Sequence, residues 1–184
     1  MITASDKHQE FERLALPLFD SLFNFARWLT HDATEAEDLV QESFAKALRG
    51  FDSFAPGTDF RAWMFRILRN TFLTSRTGLQ ARLTVPLVPD DDLPATVTWE
   101  TPESLAIASA TGDAIRRALD ELPVAYREVI LLCDVEEMKY AEIAAVLSVP
   151  IGTVMSRLAR ARKALRESLT AERLPLEARP KSPR

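Results

Sequence analysis

Cysteine is nearly absent from this chain. Cys133 stands alone in the apolar run Val129-Ile130-Leu131-Leu132-Cys133, which excludes an internal disulfide and any cysteine zinc cluster. Free cysteine is among the most buried residue types, so Cys133 is expected to be a structural thiol. Histidine occurs only twice, His8 near the N-terminus and His31 beside a turn, without metal-ligand spacing. There is no glycine-rich phosphate loop and no nucleophile with a plausible base, so neither an enzyme nor a cofactor or metal site is expected. Glycine is scarce, five residues against eleven prolines, which points to helices punctuated by prolines and away from a dominant sheet. No apolar run approaches the roughly 20 residues that span a bilayer. The start, Met1-Ile2-Thr3-Ala4-Ser5-Asp6, lacks a signal peptide's basic-then-apolar plan. The expectation is a cytoplasmic protein with no membrane insertion.

What is present is charge in blocks. The net charge of −4 argues at first against nucleic acid, but its distribution matters more than its sum. Between Arg27 and Lys46 lie five acids (Asp32, Glu35, Glu37, Asp38, Glu42) and no base. From Arg61 to Arg82 there are five arginines and no acid; from Leu83 to Ile115 the acids return without a base. From Arg157 to Arg166 five basic residues follow without an acid. A polyanion would meet two basic stretches separated by acidic ones.

The pattern predicts an all-α chain of two small helical domains joined by an extended linker. The first domain is placed at residues 8–80. Phe11, Leu14, Leu18, Leu22 and Phe25 recur at helical spacing. After a break at residues 30–34, capped by Asp32 or Thr34, a second helix turns Ala36, Leu39, Val40, Phe44, Ala47 and Leu48 inward and leaves an acidic outer face. Gly50 to Asp59 reads as a loop, and Phe60 to Leu73 as a helix bearing arginines and aromatics. Trp63 and Phe65 read as core. Residues 81–112 form an acidic linker interrupted by Pro86, Pro89, Pro94 and Pro102. The second domain occupies 113–172, and 173–184 are expected to be a disordered tail.

The most specific motif runs from Tyr140 to Leu165. A short helix, Tyr140–Leu147, meets a tight connection at Ser148-Val149-Pro150, and a second helix starts near Gly152. Val154, Leu158, Ala161 and Leu165 form a stripe for packing on Ile143, Ala144 and Leu147. This is the plan of a helix-turn-helix, whose second helix enters the major groove. The opposite stripe presents Thr153, Ser156, Arg157 and Arg160, with Arg162, Lys163 and Arg166 further along. Hydroxyls and guanidiniums suit base edges and phosphates.

These residues carry a family resemblance. Leu122-Pro123, Arg127-Glu128-Val129, Tyr140-Ala-Glu-Ile-Ala144, Gly152-Thr-Val154, Ser156-Arg157 and Arg160-Ala-Arg162 resemble region 4 of the extracytoplasmic-function sigma factors. Ala36-Glu-Asp-Leu-Val-Gln-Glu-Ser-Phe44, Phe51-Asp-Ser-Phe54 and Phe60-Arg-Ala-Trp-Met-Phe-Arg-Ile-Leu-Arg-Asn70 resemble region 2 of the same family. The likeness covers residues from about 10 to 170.

The resemblance implies a promoter-recognition subunit that directs transcription initiation of a stress or envelope regulon. It implies that Asp38, Gln41 and Glu42 dock on the β′ clamp of core RNA polymerase, where a carboxylate face pairs with basic residues. The β flap is a further expected polymerase contact. Asp52, Phe54, Arg61, Arg66, Arg69 and Asn70 are implied for the −10 element, with a flipped base received at the Asp52–Asp59 loop. Phe54 reads equally as a core residue. Thr153, Ser156, Arg157, Arg160, Arg162 and Lys163 are implied for the −35 element. The linker resembles a strand that threads through the RNA path, its negative charges mimicking phosphate. The stretch Pro150–Leu158 resembles relatives held by zinc-binding, redox-responsive anti-sigma factors. The free chain is expected to be a monomer that binds DNA poorly alone. After Asn70 many relatives carry an aspartate and then a basic run, which Thr71–Arg76 lacks. The competing readings are a mimic that sequesters an anti-sigma factor and a plain helix-turn-helix repressor.

Overall fold

A computed structural model describes residues 4–55, 57–80 and 112–177. The regular elements of these residues are all helices, joined by short turns, and they contain no strand. The linker prolines lie outside them.

The N-terminal half comprises α1 (Ala4–Ala15), α2 (Phe19–Thr30), α3 (Ala33–Gly50) and α4 (Phe60–Gln80). The face read as one helix from Phe11 to Phe25 is in fact split. A 3-10 turn, Leu16–Leu18, separates α1 from α2 because Pro17 has no N–H to continue the α ladder. Phe11, Leu22 and Phe25 still reach one core, since the turn preserves the direction of the apolar face. Thr30 closes α2 by donating its hydroxyl to the Ala26 carbonyl at 3.0 Å, and His31 then takes the left-handed conformation (φ 61°). Asp32 is the cap chosen for α3; its carboxylate accepts from the Glu35 N–H at 2.8 Å. Ala36, Leu39, Val40 and Ala47 are buried as their spacing predicts, with Phe44 and Leu48 half-buried beside them.

On α4, Met64, Phe65 and Leu68 are fully buried, and the Phe65 ring packs edge-on against Phe25 at 5.3 Å. The helix continues seven residues past Leu73, where the sequence reading ended it.

The C-terminal half comprises α5 (Gly112–Glu121), α6 (Val124–Ile130), a π-helical turn at Leu131–Val135, α7 (Tyr140–Leu147) and α8 (Ile151–Glu177). Glu142 accepts from the Lys139 N–H at 2.9 Å, completing the start of α7. Ser148 ends α7 in the left-handed region (φ 56°), and the chain bends by 99° into α8. Val154, Leu158, Ala161 and Leu165 are buried against Ile143, Val146 and Leu147. That is the helix-turn-helix, with Ala144 half-buried at the crossing. The tail boundary moves: α8 runs to Glu177, so the first residues of the segment expected to be disordered continue the helix.

The halves pack on one another, chiefly α4 against α7. No single helix among the described residues is long and apolar enough to cross a membrane.

Cys133 is half-buried. Burial first, and then the neighbouring Asp134 carboxylate, push its thiol up to about 11. A thiol ionising at about 11 and not at its ordinary 9.0 has about a hundredfold less thiolate at pH 8. Cys133 is therefore expected to react with iodoacetamide at least tenfold more slowly in the native chain than in urea. Equal rates would show that the thiol is not held in this environment.

Candidate nucleic-acid interface

Three surfaces carry the residues singled out from the sequence, and each is positioned by a different element. On α3, Asp38, Gln41 and Glu42 are all exposed on the face opposite the buried Leu39, Val40 and Ser43. Glu42 pairs with Lys46 one turn on at 2.7 Å. An exposed pair of this kind contributes a few tenths of a kcal/mol and leaves the face available.

The second surface is the turn after α3 together with the outer side of α4. A 3-10 turn, Phe51–Ser53, replaces the first part of the expected loop, closed by the Ser53 hydroxyl on the Gly50 carbonyl at 2.6 Å. Asp52 is exposed and is held by Lys7 of α1, a partner the sequence reading did not foresee. Phe54 is half-buried. Its ring stacks on Phe51 at 6.1 Å and meets Phe60 edge-on at 5.2 Å, with Trp63 at 5.3 Å. One side of Phe54 thus belongs to an aromatic cluster, and the residue as a whole stays partly exposed. Trp63 is likewise half-buried, whereas Phe65 is core.

The polar residues of α4 divide into two sets. Arg66 and Asn70 point to solvent. Arg61 and Arg69 face the other half of the molecule. Arg61 pairs with Glu136, which is 6% exposed. Arg69 donates its Nε–H to Glu128 Oε1 at 2.8 Å and an Nη1–H to the Leu147 carbonyl at 3.4 Å. Glu128 is 1% exposed; burial pushes its carboxyl above the usual range, and Arg69 and Arg157 oppose that rise. Glu128 and Glu136 were not singled out as site residues. An acid inside the apolar run of α6 was the only signal available in the sequence.

The third surface is the start of α8. Thr153, Ser156, Arg157, Arg160 and Arg162 are half-buried and Lys163 is exposed. The expected single stripe is therefore spread around the helix, because α5, α6 and α7 all pack against it. Ser156 donates to the Thr153 carbonyl at 3.1 Å. Arg162 lies on the flank toward Asp134 and clasps both carboxylate oxygens, at 2.5 and 3.3 Å, so part of its function is structural. Ile151 and Met155 are the apolar side chains exposed at the helix start, 48% and 42%. They were not chosen from the sequence because they are not polar.

A helix-turn-helix half packed on a half that carries an acidic face and an arginine face is the build of a two-module DNA-binding protein. Known proteins agree with it. The model for Sigma-70 region 2 matches residues 18–82, and that for Sigma-70, region 4 matches residues 112–165. The ECF RNA polymerase sigma factor SigE of Mycolicibacterium smegmatis is 36% identical over 150 residues, covering 82% of this chain and 58% of that protein. The RNA polymerase sigma-H factor of Pseudomonas aeruginosa is 31% identical over 170 residues, 86% of each chain. Among solved structures, the sigma factor RpoE of Bartonella quintana, crystallised in complex with the anti-sigma factor NepR, superposes with a TM-score of 0.69. It is 29% identical, over 88% of this chain and 98% of that one. The chain belongs to the ECF RNA polymerase sigma factors, a family of transcription initiation factors.

Proposed function

We propose that this chain joins core RNA polymerase, recognises the −35 and −10 elements of a set of promoters and starts transcription there. The observation that carries the reading is the separation of one acidic and two basic surfaces onto different elements of a family-typical fold. Asp38, Gln41 and Glu42 offer carboxylates and an amide to a basic surface of the polymerase, the β′ clamp. Asp52, Phe54, Arg61, Arg66, Arg69 and Asn70 combine a partly exposed aromatic residue with guanidiniums, the chemistry that holds unstacked bases and single-stranded backbone of the −10 element. Thr153, Ser156, Arg157, Arg160 and Lys163 surround the start of a helix suited to the −35 major groove, with Arg162 between fold and DNA. Ile151 and Met155 add apolar contacts of the kind thymine methyl groups receive. An anti-sigma factor is the expected regulator, since the solved sigma factor RpoE of Bartonella quintana is bound to one. Both polymerase and promoter place this activity in the cytoplasm.

The test is transcription in vitro with purified core polymerase and a promoter library. Initiation from a subset of promoters is expected only when the chain is added. Asp38→Ala, an exposed substitution, is expected to weaken core binding about tenfold, the scale of a rim-to-core interfacial charge, without altering the circular dichroism spectrum. Absence of initiation together with failure to bind core would overturn the reading. Duplex binding without polymerase would then indicate a repressor, and capture of an anti-sigma factor alone a mimic.

A further inference from the structure

Two arginines belong to none of the three surfaces. Arg27 of α2 and Arg116 of α5 line a cavity of about 150 Å³ together with Asn24, Trp28, His31 and Asp120. Both arginines are exposed, and neither has a carboxylate partner among the described residues. Arg116 instead lies over the Trp28 ring, 5.7 Å from its centroid, which steadies that guanidinium at the wall of the cavity. The carboxylate of the lining is engaged: Asp120 lies 3.1 Å from His31 Nδ1. His31 Nε2 faces an N–H of the Arg127 guanidinium and accepts from it, so a ring proton sits on Nδ1 toward Asp120. Both ring nitrogens of His31 are thus occupied within the protein, which leaves Arg27, Arg116 and the exposed Asn24 amide to meet a ligand. Two guanidiniums against one engaged carboxylate make the cavity cationic.

We propose that this cavity is a binding site for a phosphate dianion, free or as the terminal group of a small metabolite. Guanidinium forks match phosphate oxygens bidentately, and the Asn24 amide adds a neutral donor. Size sets the ligand class. A cavity of this volume takes a group about as large as benzene and falls short of the roughly 300 Å³ that a whole drug-sized ligand needs. A terminal phosphate on a narrow stem fits, whereas a backbone phosphodiester, flanked by a sugar on either side, does not. The site is therefore separate from the promoter-facing surfaces and goes beyond the proposed function. An anion held by both arginines also joins α2 to α5, so occupancy stabilises the fold by mass action.

The site is tested on the full chain by titrating inorganic phosphate and phenyl phosphate at about pH 8, where both are dianions, with ionic strength held constant by chloride. Tryptophan fluorescence and the thermal midpoint are the readouts. A saturable fluorescence change and a rising midpoint are expected with both probes. Trp28→Phe keeps a ring beside Arg116 and is expected to abolish most of the fluorescence change while preserving the rise in midpoint. Arg27→Gln and Arg116→Gln are each expected to weaken binding about tenfold, the loss of one charge-assisted contact. Arg49→Gln, at an exposed arginine in the last turn of α3, removes the same charge elsewhere and is expected to leave binding unchanged. Tighter binding of phenyl phosphate identifies a phosphorylated metabolite as the ligand, and tighter binding of inorganic phosphate the free ion. No saturable response to either probe overturns the site. Equal weakening by Arg49→Gln also overturns it, because the anion would then be following net charge alone. Polymerase and promoter are absent from the assay, so failure here and failure of transcription are separate results.

Discussion

Replacing Arg127 by alanine is expected to destabilise the chain by about 3–5 kcal/mol, the cost of removing a charged partner from a buried network. Arg127 is 4% exposed, and burial lowers its pKa against the opposing pull of Asp120. All five of its N–H groups find acceptors. Nε donates to the Leu119 carbonyl at 2.8 Å, and Nη2 to Asp120 and Leu122 carbonyls at 2.7 and 3.0 Å. Nη1 serves Trp28 and the His31 ring in the other half. The first three acceptors lie in the last turn of α5 and the residue just after it, where the Leu119 carbonyl also accepts the Leu122 N–H at 3.2 Å. Alanine would take this donor from the Asp120 and Leu122 carbonyls and open a cavity; lysine, with a compact ammonium of three donors at a single point, cannot reproduce the fork and is expected to recover less than half of the loss. Urea unfolding followed by circular dichroism measures it. A loss under 1 kcal/mol for Arg127→Ala would mean that water replaces the guanidinium and that the network does not hold the domain.

Arg160→Ala is expected to reduce initiation from promoters that depend on a −35 element by about 10- to 100-fold, the discrimination that one good guanidinium contact supplies. The effect should be confined to those promoters, because Arg160 belongs to α8 while the −10 residues lie on α4 and the turn before it. Helix content and urea midpoint are measured alongside, since Arg160 is half-buried and has interactions within the fold. Equal loss on promoters lacking a −35 element would assign the defect to folding or polymerase binding. Unchanged initiation at every promoter would remove Arg160 from the recognition surface. The exposed Met155 provides a companion: Met155→Ala is predicted to alter which −35 sequences are preferred more than the total output.

The parts of the fold legible in the sequence are those governed by local spacing. The stripe of Val154, Leu158, Ala161 and Leu165 fixed the packed side of α8 because one helical period suffices to state it. The bend after Leu147 was legible from Ser148-Val149-Pro150, where a left-handed residue and a proline end one helix and start the next. The helix boundaries were less legible. Pro17 breaks an apolar face that periodicity alone joined, and α4 and α8 extend beyond the last residue whose spacing demanded it. Arg127 was visible as part of a motif, but its burial was not, because five acceptors gathered from α5, α2 and the turn after α2 exist only once those elements meet.

Composition, charge blocks and periodicity by themselves determined that this is an all-helical, two-part chain with an acidic face, an arginine-bearing helix and a helix-turn-helix. These are properties of residues within a few turns of each other. Tertiary structure decided which of the arginines face solvent. Arg66 and Arg69 look alike in sequence, yet Arg66 points outward while Arg69 meets a carboxylate 59 positions away, and Arg61 one 75 positions away. Such pairings depend on how two helical surfaces are brought together, and the free energy that brings them together comes from apolar side chains spread over the whole chain. No local spacing records that choice.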